Sequence, residues 1–201
     1  MNFSLHFESI FMKFNSRLWP LAAALLSAAA LPAVAEQKLL PAQSDISFVF
    51  KQMGVPVEGH FKKFDAQIAF DAAKPATNKV AFTVNIASAT LGSPETDAEL
   101  PKSEWFNTAK FPQATFASSG FKALGAGKYE VAGKLSIKGQ SRDVVVPVSM
   151  TQTGAVTMAT GVFPIKRLGF KIGEGDWADT SMVADDVQVK FKLALSGVGK
   201  L

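Results

Sequence analysis

The sequence lacks cysteine altogether and has only two histidines and one tyrosine among its 201 residues. Without cysteine the chain cannot form disulfides, thiolate nucleophiles, Cys-ligated zinc sites or iron–sulfur clusters. Two histidines, His6 and His60, are too few for a His-built metal site, and a Ser-His-Asp triad would have to use one of them. His60 follows Gly59 between apolar residues, which favours a surface or turn histidine over a catalytic base. We therefore expect no metal, no cofactor and no catalytic residue.

Charge of either sign is also scarce, because charged residues make up 19% of the chain and the formal net charge is only +4. The basic pairs Lys62-Lys63 and Lys166-Arg167 are short, and acidic residues are interspersed through the rest of the chain. No basic stripe is present that could follow a phosphate backbone, so we expect no nucleic-acid partner. Gly173-Glu174-Gly175 lacks the third glycine of a dinucleotide-binding motif.

The N-terminal segment has the pattern of a secretory signal. The stretch from Leu18 to Ala35 carries no charge and follows Lys13 and Arg17, and Ala33-Val34-Ala35 provides a small-x-small cleavage site. We therefore expect export and cleavage after Ala35.

A retained membrane anchor is the alternative for the same segment. Pro20 and Pro32 bound it, which leaves too few residues for an uninterrupted helix across a bilayer core of about 30 Å. We therefore expect residues 1–35 to be a signal peptide, with Met12 as an alternative start, and residues 36–201 to form one domain.

Period-two alternation of apolar residues runs through residues 36–201, and each run is typical of a half-buried strand. We count about eight strands with turns about every 8 to 12 residues, which predicts an all-β antiparallel barrel or sandwich. The runs lie at 46–51, 55–61, 64–70, 80–86, 114–121, 129–137, 144–150, 156–162 and 187–195.

One segment near 93–107 breaks this alternation. Ser93 is suited to the N-cap of a helix and Pro94 to its first position, and Pro101 stops the helix after about two turns. The apolar side chains of Leu100, Trp105 and Phe106 need a surface to cover. We expect this short helical insert to cap one end of a barrel.

Carboxylates near the C-terminus leave an enzymatic alternative open. Asp176 and Asp179 form one pair, and Asp185 and Asp186 form a second. Such pairs serve as acid and base in glycosidases or as calcium ligands, but their spacing matches no EF-hand loop. Trp177 between the first two acids favours a solvated loop that tucks its aromatic ring inward.

Phenylalanine is the abundant aromatic residue, with 17 copies against a single tyrosine. Tyrosine and tryptophan bring a polar group that a wet site would use, whereas phenylalanine does not. A barrel of about eight strands is wide enough either to be filled by its side chains or to hold one small ligand. The residues alone therefore leave two functions open, a carrier of an apolar ligand and a structural barrel without one.

Several motifs resemble the YceI-like family of periplasmic proteins, and the resemblance covers essentially all of residues 36–201. The strongest is the segment from Trp105 through the Phe-Pro-x-Ala-Thr-Phe run at 111–116. Further matches are Val57-Glu58-Gly59-His60-Phe61-Lys62-Lys63-Phe64 and Gly133-Lys134-Leu135-Ser136-Ile137-Lys138-Gly139. The segment 167–177, together with 183–187, resembles one branch of that family.

The resemblance implies an extended, lipocalin-like antiparallel barrel with a long apolar tunnel that binds a polyisoprenoid or a similar amphiphilic lipid. It also implies a periplasmic protein without known catalysis that is often a homodimer. Relatives are often encoded beside b-type di-haem cytochromes, which suggests a membrane cytochrome partner and a quinone-related lipid. The chain departs from the family at Gln52-Met53-Gly54 and Thr96-Asp97-Ala98-Glu99-Leu100, near the expected tunnel mouth.

The alternation and the resemblance together select a set of large apolar residues as ligand contacts. The rival functions are a stress-protective or structural barrel with no ligand, and an enzyme acting on a bound lipid through Asp176, Asp179 or Asp185. The candidate ligand-binding residues are Phe48, Phe50, Val57, Phe61, Phe82, Val84, Leu100, Trp105, Phe106, Phe111, Phe116, Leu135, Ile137, Val189, Phe191 and Leu193.

Overall fold

The structure is a computed structural model that describes residues 36–201. The predicted signal peptide, residues 1–35, lies outside the described residues. Within residues 36–201, none of the helices has the length and apolar character needed to cross a membrane.

The described chain forms antiparallel strands that alternate between inward and outward side chains, as the period-two pattern predicts. In chain order the strands are β1 (Lys38–Leu39), β2 (Asp45–Gln52), β3 (Val55–Phe61), β4 (Phe64–Ala69), β5 (Lys79–Asn85), β6 (Ala89–Thr90), β7 (Gln113–Gly125), β8 (Lys128–Ile137), β9 (Gln140–Thr153), β10 (Val156–Lys166) and β11 (Asp186–Ser196).

These strands close into a barrel. The order β1-β4-β5-β7-β8-β9-β10-β11 returns to its start because β11 also pairs with β1, which makes an eight-stranded ring. Two strands share one edge of β11: β1 pairs with it at Leu195, and β2 pairs with it from Gln188 to Lys192. Strands β2, β3 and β6 therefore extend the wall at one end of the barrel. The predicted antiparallel barrel is confirmed.

The helical insert is short, and it begins where the sequence predicts. Helix α1 spans Pro94–Asp97, and the Ser93 side chain caps it by accepting a hydrogen bond from the Thr96 amide. Within residues 36–201, five 3-10 turns lie at Pro41–Gln43, Pro75–Thr77, Ile86–Ser88, Arg167–Phe170 and Gly175–Ala178.

The two ends of the barrel are built differently. At one end, the lid end, the connections 86–112 and 167–185 cross between strands beside the β2–β3 and β8–β9 hairpins. The opposite end, the hairpin end, carries the tight β7–β8 and β9–β10 turns and the C-terminal residues. The long connections at the lid end place side chains at this end of the barrel that the regular strands cannot place there.

Buried side chains divide into two clusters along the barrel axis. The cluster at the lid end includes Ile86, Leu100 and Phe106, and the cluster at the hairpin end includes Phe70 and Tyr129. Phe116 and Val148 pack against both clusters. The apolar interior therefore runs the length of the barrel, and the insert contributes to it as predicted.

Candidate functional site

Two cavities lie inside the barrel, end to end. The lid-end cavity measures about 210 Å³ and the hairpin-end cavity about 190 Å³. They adjoin at a waist formed by six residues that line both of them, so the apolar lining extends from one cavity to the next along the barrel. The waist residues are Ile46, Val84, Ala114, Leu135, Phe163 and Val189.

Most of the candidate ligand-binding residues line this space. Three of them, Val84, Leu135 and Val189, line both cavities. The others in the lid-end cavity are Phe48, Phe50, Phe61, Leu100, Trp105, Phe106 and Ile137. The others in the hairpin-end cavity are Phe82, Phe116, Phe191 and Leu193.

The structure places Val57 and Phe111 outside both cavities. Val57 pairs with Phe50 on the part of the β2–β3 hairpin that projects beyond the closed ring. The Phe111 ring lies against the β8–β9 turn, 2.8 Å from where a Cβ on Gly139 would be. Alternation identifies an apolar face, but it does not show where a strand leaves the barrel or which surface a loop residue covers.

Sequence reasoning missed the contribution of the connection 167–185 to the cavity. Arg167, Ile172, Trp177 and Val183 all line the lid-end cavity, although no periodic pattern runs through this segment. The waist residues Ile46, Ala114 and Phe163 were also missed. Ile46 and Ala114 lie on alternating runs, so the same pattern could have included them, whereas Phe163 lies just beyond the run at 156–162 and on the opposite face from Val162.

Inward-facing glycines leave room for flat aromatic rings along the wall. A Cβ on Gly59 would overlap the ring of Phe48, its partner across the β2–β3 ladder. A Cβ on Gly161 would likewise overlap the ring of Phe191, its partner across the β10–β11 ladder. Because glycine has no side chain, each ring lies against the glycine backbone of the neighbouring strand and so occupies less of the barrel interior.

Polar residues of the lining concentrate at the lid end. Gln52, Thr96, Glu99 and Arg167 line the lid-end cavity, while the hairpin-end cavity has only Lys79 and Thr115 among its polar lining residues. The interior is therefore apolar along its length with a polar group of side chains at one end.

Arg167 holds the connection 167–185 in place. It is 2% exposed, and all five of its N–H groups face backbone carbonyls rather than a carboxylate. Nε donates to Ala184 at 3.1 Å, and the two terminal nitrogens donate to carbonyls at 172, 173, 177 and 183. Burial lowers the pKa of Arg167, and the charge of Asp185 partly offsets this effect.

A second buried cation joins the two connections at the lid end. Lys138 is 6% exposed, and its Nζ donates to the carbonyls of Glu104 and Lys171 and lies 3.1 Å from the Glu174 carboxylate. The rings of Trp105 and Trp177 also meet there, with centroids 5.3 Å apart. We call residues 91–106 and 167–185 together the lid.

The first segment of the lid is fastened to the barrel by Asp97. Its carboxylate accepts hydrogen bonds from the Thr90 hydroxyl and the Leu91 amide, both at 2.6 Å. These bonds, led by the one from Thr90 and assisted by the charge of Lys62, hold the pKa of Asp97 below its ordinary value.

The acidic residues of the C-terminal loop are engaged in local structure. Asp179 accepts hydrogen bonds from the amide and hydroxyl of Ser181, and Asp185 accepts one from the Leu168 amide at 2.9 Å. Neither Asp176, Asp179 nor Asp185 lines the interior cavities. Across residues 36–201 no cluster of three or more His, Asp or Glu side chains is arranged to hold a metal ion.

A closed eight-stranded antiparallel barrel with an apolar interior and a lid at one end defines the protein as lipocalin-like. The YceI-like domain model matches residues 38–195, and the chain belongs to the YceI-like family. Its curated relatives include a UPF0312 protein of Photorhabdus laumondii, 34% identical over 77% of this chain and 85% of that protein.

Two solved structures show the same fold. The chain is 47% identical to BcnA of Burkholderia cenocepacia, with a TM-score of 0.76 over 78% of this chain and 98% of that one. A polyisoprenoid binding domain from Saccharophagus degradans superposes with a TM-score of 0.66 over 80% of this chain and 98% of that domain. Because the second pair is only 16% identical, that likeness shows the fold alone.

Proposed function

We propose that the protein binds a long-chain isoprenoid or a similar amphiphilic lipid inside the barrel, with the tail along the two cavities and the head group at the lid. The observation that carries this proposal is the pair of adjoining apolar cavities along the barrel with polar side chains gathered at one end. The fold shared with a domain described as polyisoprenoid-binding supports it by analogy.

Tail binding needs no specific polar contact. Each CH₂ group transferred from water into the interior contributes about 0.8 kcal/mol, so a prenyl tail of moderate length outweighs the cost of immobilisation. The two cavities lie end to end, which suits a long, narrow ligand better than a compact one. At the waist between them, Ala114 has the smallest side chain.

The head group would lie among Gln52, Thr96 and Glu99, which provide hydrogen-bond donors and acceptors. The indole N–H of Trp105 is also buried without a hydrogen-bond partner among the described residues, and an acceptor on the head group would satisfy it. A quinone head offers carbonyl acceptors of this kind, and we propose a quinone-related lipid on that basis.

The proposal includes export to the periplasm, where the protein would carry or store its lipid or act in a stress response. It also includes a homodimer and a membrane partner of the b-type cytochrome class. Export rests on the signal pattern of residues 1–35, and the other two rest on the family resemblance. Binding rather than catalysis is proposed because the loop carboxylates lie outside the cavity lining.

Native mass spectrometry tests the central claim. Protein purified after expression of its full gene in a Gram-negative host should carry a reproducible mass excess, and solvent extraction should release an isoprenoid lipid of that mass. We expect Ala114→Phe, which fills the waist, to lower lipid occupancy at least tenfold. Ala117→Phe makes the same change on the exposed face of the same strand and should retain the lipid.

A bare mass for the wild-type protein, together with no quenching of Trp105 and Trp177 by a naphthoquinone carrying a 20-carbon prenyl tail, would favour the structural barrel without a ligand. Retention of the lipid by both Ala114→Phe and Ala117→Phe would show that the lipid lies outside the barrel. Either result removes the proposed function.

A further inference from the structure

The barrel wall contains one long interruption, between β9 and β10. These strands pair only from Val156–Thr153 to Thr160–Ser149. Beyond that pair, β9 continues along β8 as far as Gln140, and β10 continues along β11 as far as Lys166. Residues 140–148 and 161–166 therefore face each other without ladder pairing, and we call this slot the seam.

Two prolines explain why the ladder stops. Backbone groups of alternate residues in a strand point to the same edge. The Ser149 carbonyl faces β10, since it accepts a bond from the Thr160 hydroxyl, and the Pro147 carbonyl lies beside Gly161. Pro147 therefore faces β10 but has no N–H to donate, and by the same alternation Pro164 faces β9 without a donor.

The seam is closed at its lid end by a single side chain. Arg142 donates from Nη2 to the Gly169 carbonyl at 2.8 Å, which bridges β9 to the turn that follows β10. At its other end the seam is closed by the last ladder pair, Thr160–Ser149. Between these points no backbone hydrogen bond of a strand ladder has to break for the strands to part.

A cavity of about 350 Å³ opens on the outer surface where the two strands diverge. Its lining includes the outward residues Pro147, Val162 and Leu124, and also Val148 and Phe191, which line the hairpin-end cavity inside. Val148 and Phe191 therefore contact both the outer cavity and the interior at this level. The rim presents two exposed apolar side chains, Leu124 at 52% and Val162 at 49%, among the polar residues Lys128, Ser149, Thr160 and Lys190. Val145, farther along the seam, is 60% exposed.

We propose that the seam is a lateral portal through which the prenyl tail of the ligand enters and leaves the barrel, by the parting of β9 and β10. This inference rests on the proposed function. The lid route is obstructed, because Arg167, Lys138 and Asp97 fasten both lid segments through many hydrogen bonds. The seam route breaks no ladder hydrogen bond, but it requires that the Arg142 bond to the Gly169 carbonyl open and that inward side chains such as Val148, Phe163 and Phe191 move aside.

A reversible crosslink tests the portal, since the chain has no cysteine of its own. Pro147→Cys with Val162→Cys places two exposed positions opposite each other across the seam. Lys122→Cys with Glu130→Cys is the matched control, at two exposed partners on the paired strands β7 and β8. Disulfide formation is checked by intact mass.

Loading is measured by stopped-flow quenching of Trp105 and Trp177 during transfer of the 20-carbon prenylnaphthoquinone from phosphatidylcholine vesicles. We expect the seam disulfide to slow loading and release at least tenfold, without changing the equilibrium affinity, relative to the reduced form of the same variant, which already carries the N–H that Pro147 lacks. The control disulfide should change the rates less than twofold. Menadione, which has the same ring but no tail, should load at the wild-type rate in every variant.

A second variant keeps the test decisive if the seam disulfide does not form. Pro147→Val with Pro164→Val restores two ladder donors and should add amide protection along the seam and slow loading. Pro56→Val, on the exposed β2–β3 hairpin, is its control. The portal proposal would be wrong if the protein with the seam disulfide loaded at the wild-type rate. It would also be wrong if Pro147→Val with Pro164→Val gained amide protection along the seam and still loaded at that rate. A wild type that shows no quenching at all would instead remove the proposed function.

Discussion

Individual glycines decide how much of the barrel interior stays empty. A phenylalanine that faces a β-branched residue across a ladder must project into the lumen, whereas one that faces glycine can lie against the wall. Phe48 opposite Gly59 and Phe191 opposite Gly161 both use this arrangement. The phenylalanine-rich composition is therefore compatible with an open interior, because part of the ring volume lies in the wall.

Gly59 provides the most direct test at the residue scale. A methyl group at this position would overlap the Phe48 ring and the Leu91 side chain, both of which line the lid-end cavity. We expect Gly59→Ala to push the ring inward, weaken binding of the prenylnaphthoquinone about tenfold and cost about 1–3 kcal/mol of stability.

Gly120→Ala serves as the control, because nothing lies within 4 Å of a Cβ there and its backbone is ordinary for an L-residue. Its affinity should stay within twofold of the wild type. Equal affinities for Gly59→Ala and Gly120→Ala, measured by tryptophan quenching on folded protein, would contradict this role of the glycine.

At the scale of elements, the lid is the region where prediction from the sequence and the observed structure differ most. The Ser93 cap and the first residues of α1 could be predicted because capping depends on local residues, and Leu100 and Phe106 are buried as expected. The segment 167–185 could not be predicted, because Arg167 organises it by contacts with carbonyls up to 17 residues away. No local pattern encodes such contacts.

The fastening of α1 makes the lid sensitive to acid. Because the pKa of Asp97 is lower in the folded protein than in the unfolded chain, its bonds stabilise the lid above about pH 4, and this contribution is lost as the pH falls below that value. We expect amides 91–97 to lose protection, corrected for intrinsic exchange, between about pH 4 and pH 2.

Asp97→Asn should show low protection at every pH, since an amide cannot accept both bonds with the same geometry. Asp143→Asn is the matched control, because Asp143 is highly exposed and its carboxylate pairs with Lys134 on β8 rather than with the lid. It should keep the wild-type pH profile in the lid. A wild-type lid with unchanged protection down to pH 2 would show that Asp97 does not fasten it.

For the whole molecule, alternation predicts the barrel because every long strand has one face inside and one outside. The two-residue strands β1 and β6 could not be predicted, since a period needs more residues than they have. Nor could the empty volume be predicted, because a strand pattern is the same for a filled and an open barrel. The seam depends on Pro147 and Pro164, whose register is visible only once the ladders are known.

An open interior also affects the stability of the whole barrel. A cavity lined by apolar side chains lacks the contacts that a filled core would make, so the free energy of unfolding of the empty protein should be smaller than that of the loaded protein. A ligand that binds only the folded state at 100 times its Kd adds about 2.7 kcal/mol. For a chain of this size we therefore expect the prenylnaphthoquinone to raise the Tm of delipidated protein by about 5–10 °C.

Ala114→Phe should show no such rise in calorimetry, while Ala117→Phe should match the wild type. An equal rise in all three proteins would mean that the ligand binds outside the waist, and the barrel interior would then have only a structural role.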